Sequence, residues 1–339
     1  MTDTAHLIDV LDTRVKRREE RRDFFKAMFG ATALGVGAFA MASPAWAQSA
    51  APSDQDIFNF ALNLEYLEAQ FYSIAFSGNP LPDNLLTGTQ TRGNVTGARK
   101  ANLTDQTVIQ YAREIAEDER AHVVSIRAAL GSAAVAQPQL DLSPAVFTAA
   151  AVAAGIDLSA SGGVFDPYAN DDNFLLGAYL FEDVGVNAYK GGSPLLQNVD
   201  LLDAAAGILA AEAFHAGIIR GALYRRGVAA PVLRTNADRI SDARDTLDGA
   251  VNSAGPPMRV ADADQGISPV PTPVPNSAGV STGIGSNFVP TDANGIAFSR
   301  TTEQVHNIVY LTRNSVTAGG FFPAGTNNTN AALRRSGAN

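Results

Sequence analysis

Residues 201–227 read LLDAAAGILAAEAFHAGIIRGALYRRG. In the middle of this apolar run stand one acid and one imidazole, Glu212 and His215, three positions apart. On a helix that spacing is about 300° of rotation, so both side chains project from one face, one turn apart. A carboxylate and an imidazole together on such a face are half of a metal cradle. The other half stands upstream, in Glu119-Arg120-Ala121-His122. The likeness extends beyond the motif. His122 is followed by Ile126, Arg127, Ala129 and Leu130, and His215 by Ile219, Arg220, Ala222 and Leu223. The shared register E-x-x-H-x-x-x-I-R-x-A-L reads as an internal duplication. A second pair accompanies it: Tyr72 follows Glu65 by seven residues, and Tyr189 follows Glu182 by seven. The chain order is therefore Glu, Glu-x-x-His, Glu, Glu-x-x-His.

Composition narrows the chemistry. Of 339 residues 46% are hydrophobic, enough for a proper core in one large domain or two small ones. The net charge is −9 and no basic patch stands out in the body of the chain, so nucleic acid is not an expected partner. The absence of cysteine excludes disulfides, iron–sulfur clusters, thiolate metal sites and cysteine nucleophiles. The only histidines are His6, His122, His215 and His306. A single helical His is more often a satisfied core or surface residue than a ligand. Two of four falling in a duplicated motif favour the ligand.

Residues 1–47 read as an export signal. A charged segment ends in Arg21-Arg22-Asp23-Phe24-Phe25-Lys26, an Ala- and Gly-rich apolar stretch spans 27–42, and Ala45-Trp46-Ala47 is a small-x-small cleavage site. The apolar stretch is too short for a comfortable membrane span, so no stable membrane insertion is expected once the signal is removed. The charged run resembles the twin-arginine consensus R-R-x-F-L-K, with Phe25 in place of Leu. The resemblance implies export of an already folded protein, to the periplasm or beyond. The remaining chain carries 18 Lys/Arg against 28 Asp/Glu, a net −10.

The spacing predicts an all-α domain over 48–230 and a loop-rich extension over 231–339. A first helix over 54–77, capped by Ser53 or Asp54, carries Glu65 in an apolar stripe with Leu62, Leu64 and Leu67. A buried unpaired carboxylate is costly, and a metal ion would compensate it. Glu68, one turn further on, is a second ligand, a supporting acceptor or a solvated edge residue; Glu65 is the preferred ligand. A second helix, capped by Thr104 and Asp105, runs to Leu130. The connection over 131–171, with a short helix at 143–154, is long enough to cross the bundle. A third helix starts at Asp171 or Asp172, carries Glu182 and Tyr189, and ends at Gly191-Gly192. A fourth runs from about 198 to 226, with Gly227 past its end. In the extension, 236–252 reads as a polar helix, 265–290 as extended loop, 299–313 as an amphipathic helix and 316–339 as frayed. Glu303 and His306 form a third E-x-x-H that lacks the rest of the register, and reads as a docking helix.

Four helices bearing Glu, Glu-x-x-His, Glu and Glu-x-x-His carry the ligand set of a dinuclear carboxylate bundle. Glu119 and Glu212 are the expected bridges, with Glu65 and His122 ending one metal and Glu182 and His215 the other. Hard carboxylates with one imidazole per ion suit two iron or two manganese ions, whose open positions would admit O2 or peroxide. Arg127 and Arg220 read as buried ion-pair partners or, more commonly, as part of a solvated face. Glu114, Glu117, Asp118 and Asp183 read as surface groups or as carboxylates supporting a ligand His.

On these residues the chain resembles the ferritin-like superfamily, and in particular the exported ferritin-like proteins grouped with desiccation-related proteins. The stretches 63–72, 181–191 and 207–220 and the Glu119/His122 helix carry the resemblance, which covers about 54–227 with a looser likeness at 300–310. It implies a ferritin-like four-helix bundle with a long crossover between helices 2 and 3 and a dinuclear iron or manganese centre. No single activity follows, since oxidases, peroxidases, catalases and iron stores share this bundle. Relatives carry a tyrosine at the position of Tyr72, where it can hydrogen-bond near the centre or supply an electron, so Tyr72 is the candidate catalytic residue. Tyr189 reads equally as an amphipathic core tyrosine. The expected function is redox chemistry of O2, hydrogen peroxide or Fe(II) in stress protection. The rival is a desiccation or stress protein whose metal is structural, or which works by binding. The absence of cysteine removes a rubredoxin-type electron donor. The long extension could cap the bundle or build a homo-oligomer.

Overall fold

Ser53 opens the first helix of the bundle. Its hydroxyl accepts from the Asp56 amide while the Asp56 carboxylate accepts from the Ser53 amide, a reciprocal cap that satisfies two free helix-end donors. The resulting helix α1 (Asp54–Ser77) is closed by Gly78, which adopts φ +82° and donates to the Ile74 carbonyl. The computed structural model describes residues 51–249, 263–276, 279–292 and 294–339. The export signal expected at 1–47 lies outside the described residues.

Asp105 caps α2 (Gln106–Leu130), a short α3 (Pro144–Ala153) sits in the crossover, and Asn170 caps α4 (Asp171–Gly192). Asn198 caps α5 (Val199–Ala229), which passes straight through Gly227 rather than stopping before it. α1 packs on α2 and α4 on α5, and contacts of α1 with α4 and of α2 with α5 close a four-helix bundle. The crossover between α2 and α4 is pinned by two short parallel strands, β1 (Val95–Thr96) and β2 (Leu140–Asp141). The all-α bundle of four helices with a long crossover expected from the sequence is the one observed.

The four helices differ in how they meet water. α2 and α5 bury one stripe, whereas α1 and α4 are buried on nearly every face. Helices that are apolar all round need a second layer, and the C-terminal segment supplies it. α6 (Val232–Asp248) and α7 (Thr302–Val309) both pack on α4, and the turn at Ala331–Arg334 packs on α1. The α7 helix is shorter than the 299–313 expected, since Tyr310 caps it and Leu311 turns the chain at φ +52°.

Two expectations for the extension are corrected. Residues 265–290 are not all loop: β3 (Val270–Asn276) and β4 (Gly279–Gly285) form an antiparallel hairpin. Pro271, Pro273 and Pro275 alternate along β3, so the residues between them keep their amides for the ladder. The final residues, 316–339, are not frayed. Phe321, Phe322 and Leu333 are buried, and Asn327 is locked to α1: its amide donates to the Asn63 side chain, whose own amide group donates back to the Asn327 carbonyl. Asparagines that look like loop punctuation are here buried hydrogen-bonding plugs.

The extension is also tied down by charge. Arg220, Arg244 and Arg300 are all 1% exposed or less. Arg220 and Arg244 both donate to Asp183, Arg244 and Arg300 both donate to Asp264, and Arg300 reaches Asp248. Arg220 and Asp183 are thus a buried pair and not a solvated face. Arg127, the duplicate of Arg220, is half-buried and donates to the Tyr66 hydroxyl and the Thr87 carbonyl. His306 proves to be a buried neutral link, bonded to the Thr302 carbonyl and the Thr326 hydroxyl, with Glu303 exposed.

Two measurements follow. Asp264→Ala removes the carboxylate shared by two buried guanidinium groups and leaves each with a single close acid, Asp183 for Arg244 and Asp248 for Arg300, and urea unfolding should show a loss of about 3 kcal/mol. Burial pushes the His306 pKa from 6.5 down to about 4, so the unfolded chain binds one proton more than the folded chain between those values. That part of the stability is complete above pH 6.5 and drains away toward pH 4, at about 1.4 kcal/mol per pH unit. In a His306→Gln variant the pH dependence of unfolding should be shallower by that slope.

Candidate metal centre

Helix periodicity brings all six sequence-predicted ligands into the middle of the bundle. Glu65 comes from α1, Glu119 and His122 from α2, Glu182 from α4, and Glu212 and His215 from α5; all are buried, the most exposed being His122 at 9%. Their ligand atoms form two clusters that share Glu212: Glu65, Glu119, His122 and Glu212 in one, Glu182, Glu212 and His215 in the other. His122 Nδ1 lies 3.2 Å from Glu65, 3.6 Å from Glu119 Oε2 and 3.6 Å from Glu212 Oε1. His215 Nδ1 lies 3.0 Å from Glu119 Oε1 and 3.7 Å from Glu182. Glu119 therefore turns one oxygen to each imidazole. The two rings are 6.0 Å apart.

The chemistry of these atoms fits a pair of cations. Both oxygens of Glu119, both of Glu212, one each of Glu65 and Glu182, and the Nδ1 atoms of both histidines are buried without a hydrogen bond. An unsatisfied buried polar atom costs roughly 1–3 kcal/mol, more when charged, so convergence of eight at one point demands a compensating partner. Space is reserved for the carboxylates as well. A Cβ at Gly185 would come within 2.1 Å of Glu212 Oε2.

Protons can compensate these groups in part. Burial, reinforced by Glu119, pushes Glu65 up to about 7, and burial pushes Glu182 up to about 8. Burial would raise Glu119 too, but His122 and His215 outweigh it and hold Glu119 down to about 2. Burial would lower both imidazoles, but Glu65 and Glu119 hold His122 up to about 11, and Glu119 with Glu182 holds His215 up to about 9.

The surroundings repeat the duplication. Tyr72 of α1 donates to Glu182 of α4, and Tyr189 of α4 donates to Glu65 of α1. Each tyrosine serves the carboxylate of the opposite helix, not the glutamate seven residues before it, because that one lies about 10 Å away along the same axis. Tyr189 is consequently the equal of Tyr72, not a core residue bonded elsewhere. The symmetry is broken at His215, whose Nε2 faces the half-exposed Asp118 at 3.2 Å, which turns Nδ1 toward the cluster. Glu68 is buried, so it is not a solvated edge residue. Gly185 escaped the sequence reading; its signal was a glycine inside an otherwise bulky helix face.

Comparison with known proteins agrees with this architecture. The ferritin-like domain profile matches residues 53–225. A desiccation-related protein of Craterostigma plantagineum, PCC13-62, is 32% identical over 255 residues, covering 74% of this chain and 76% of the relative. The ferritin-like catalase Nec2 of Nesocodon mauritianus is 30% identical over 285 residues, covering 81% of this chain and 84% of the relative. No solved structure matches significantly. The domain profile and these two relatives together make the chain a member of the ferritin-like family.

Proposed function

We propose that this protein is exported and uses a dinuclear iron or manganese centre, held by Glu65, Glu119, His122, Glu182, Glu212 and His215, to turn over hydrogen peroxide. The observation that carries the reading is that Glu212 belongs to both clusters and Glu119 turns one oxygen to each imidazole, all four of their oxygens being buried without a hydrogen bond. The catalase named among the relatives supports peroxide over other oxidants. Held by these six residues, such a pair of ions would supply redox chemistry toward the substrate. The chain's own residues would hold the centre buried in the middle of the bundle. Tyr72 and Tyr189 fix the free rotation of Glu182 and Glu65 and keep a phenolic proton beside each. Asp118 orients His215. The segments 21–26 and 45–47 support export by the twin-arginine route to the periplasm or outside the cell. Oxidation of Fe(II) by O2 is the neighbouring activity that the same ligands would support.

A second reading, a desiccation or stress protein with a structural metal, draws on the relative from Craterostigma plantagineum and on the fully packed extension.

Elemental analysis of the folded protein should find two iron or two manganese ions per chain, lost in Glu119→Ala. The loaded protein should consume hydrogen peroxide, and His215→Ala should abolish this. Unchanged turnover in both variants would sink the peroxide reading. Tyr72→Phe leaves the ligands but frees Glu182, with an expected loss of about tenfold in activity. Affinity should climb with pH. The surrounding carboxylates hold His122 up to about 11 and His215 up to about 9, and burial holds Glu182 up to about 8, so each ion must displace at least one proton. Mn(II) titrations between pH 6 and 8 should show affinity rising about tenfold per pH unit for every proton released.

A further inference from the structure

Six residues do not exhaust the acids that face the centre. Glu68 lies one helical turn beyond Glu65 on α1, 3% exposed, and its Oε1 is buried with no hydrogen-bond partner. Among the described residues no lysine or arginine bonds it, and the charges it feels most strongly are those of Glu119, Glu182 and Glu65. It falls outside both clusters of converging ligand atoms. It borders a small apolar cavity between α1, α4 and the extension, whose other walls include Leu64, Val184, Gly185, Ile308 and Phe321. Hydrocarbon offers a carboxylate nothing, so the apolar side of this acid cannot be what keeps it here.

Aligning the duplicated helices sharpens the point. Glu65 corresponds to Glu182 and Tyr72 to Tyr189, and in the same register Glu68 corresponds to Gly185. One half of the bundle carries an additional acid at the position where the other half carries no side chain at all. At Gly185 any side chain would strike Glu212. The two metal positions are thus unequal by construction.

Charge gives the surplus acid a task. The carboxylates of Glu65, Glu119, Glu182 and Glu212 supply four negative charges, which balance two divalent ions. A fifth carboxylate in the same desolvated space leaves one negative charge over, which strengthens the hold on cations and suits an ion of higher charge.

We propose that Glu68 is a seventh metal ligand, engaging one of the two ions on the α1 side of the bundle. This rests on the dinuclear reading above, and cobalt(II) separates the two claims because its visible absorption reports coordination without any catalytic turnover. Wild-type apoprotein should bind two Co(II). Glu68→Gln should weaken one binding step at least tenfold, leave the other within threefold, and alter the absorption of the bound metal. Glu68→Leu, which cannot coordinate at all, should do the same or more. The metal-free variants should melt no lower than the wild-type apoprotein, since each removes a buried unpartnered acid; a lower melting temperature would assign Glu68 a structural role and overturn the proposal. Two wild-type steps and one unaltered absorption in both variants would overturn Glu68 as a ligand while leaving the dinuclear centre standing. No Co(II) bound by wild type would overturn both.

Discussion

Electrostatic self-repulsion at the centre of the bundle is the constraint on which the rest depends. Glu65, Glu68, Glu119, Glu182 and Glu212 are buried together, with only two imidazoles among them to offset their charge. Burial of unpaired acids is among the most expensive things a fold can do. The helices therefore have to be held in place by interactions elsewhere, and the structure supplies two sets of them. The Phe71, Phe147, Phe174, Phe181 and Phe321 rings pack on one another along the bundle. The Arg220–Asp183–Arg244–Asp264–Arg300 network clamps α4 and α5 to the extension from outside. Asp183 is the residue next to Glu182, so the clamp and the cluster share a backbone.

Duplication explains how such a site can be symmetric where it matters and asymmetric where it is tuned. The tyrosine–glutamate bonds cross between α1 and α4 in both directions. Arg127 meets Tyr66 while Arg220 meets Asp183, the residue at the matching register. Against this common plan stand the departures: Asp118 beside His215, Glu68 without a counterpart, and Gly185 making room for Glu212.

The fold was legible because its signals are local. Helix spacing, caps such as Ser53 and Asp105, and the repeated register each sit within a few residues, and the six acids and imidazoles of the centre follow from them. What was hidden depends on partners distant in sequence. Nothing near Arg220 says whether it meets water or Asp183. Nothing in the run Val270 to Asn276 shows that 279–285 will pair with it, and proline argues against it. Asn327 reads as a loop residue until Asn63, 264 positions away, is seen to need it. The crossing of the tyrosines belongs to the same class, since angular arithmetic on one helix cannot say which neighbour the hydroxyl reaches.

That last separation bears on the order of events as the chain is made. The outer faces of α1 and α4 are sealed by α6, α7 and the final turn, so a nascent chain that has completed all four bundle helices still presents apolar helix surface to water. Contacts spanning most of the chain length are the slowest to form. The bundle is consequently finished only after residues 327–334 have left the ribosome, and until then α1 is a helix awaiting its cover, open to chaperones and to aggregation.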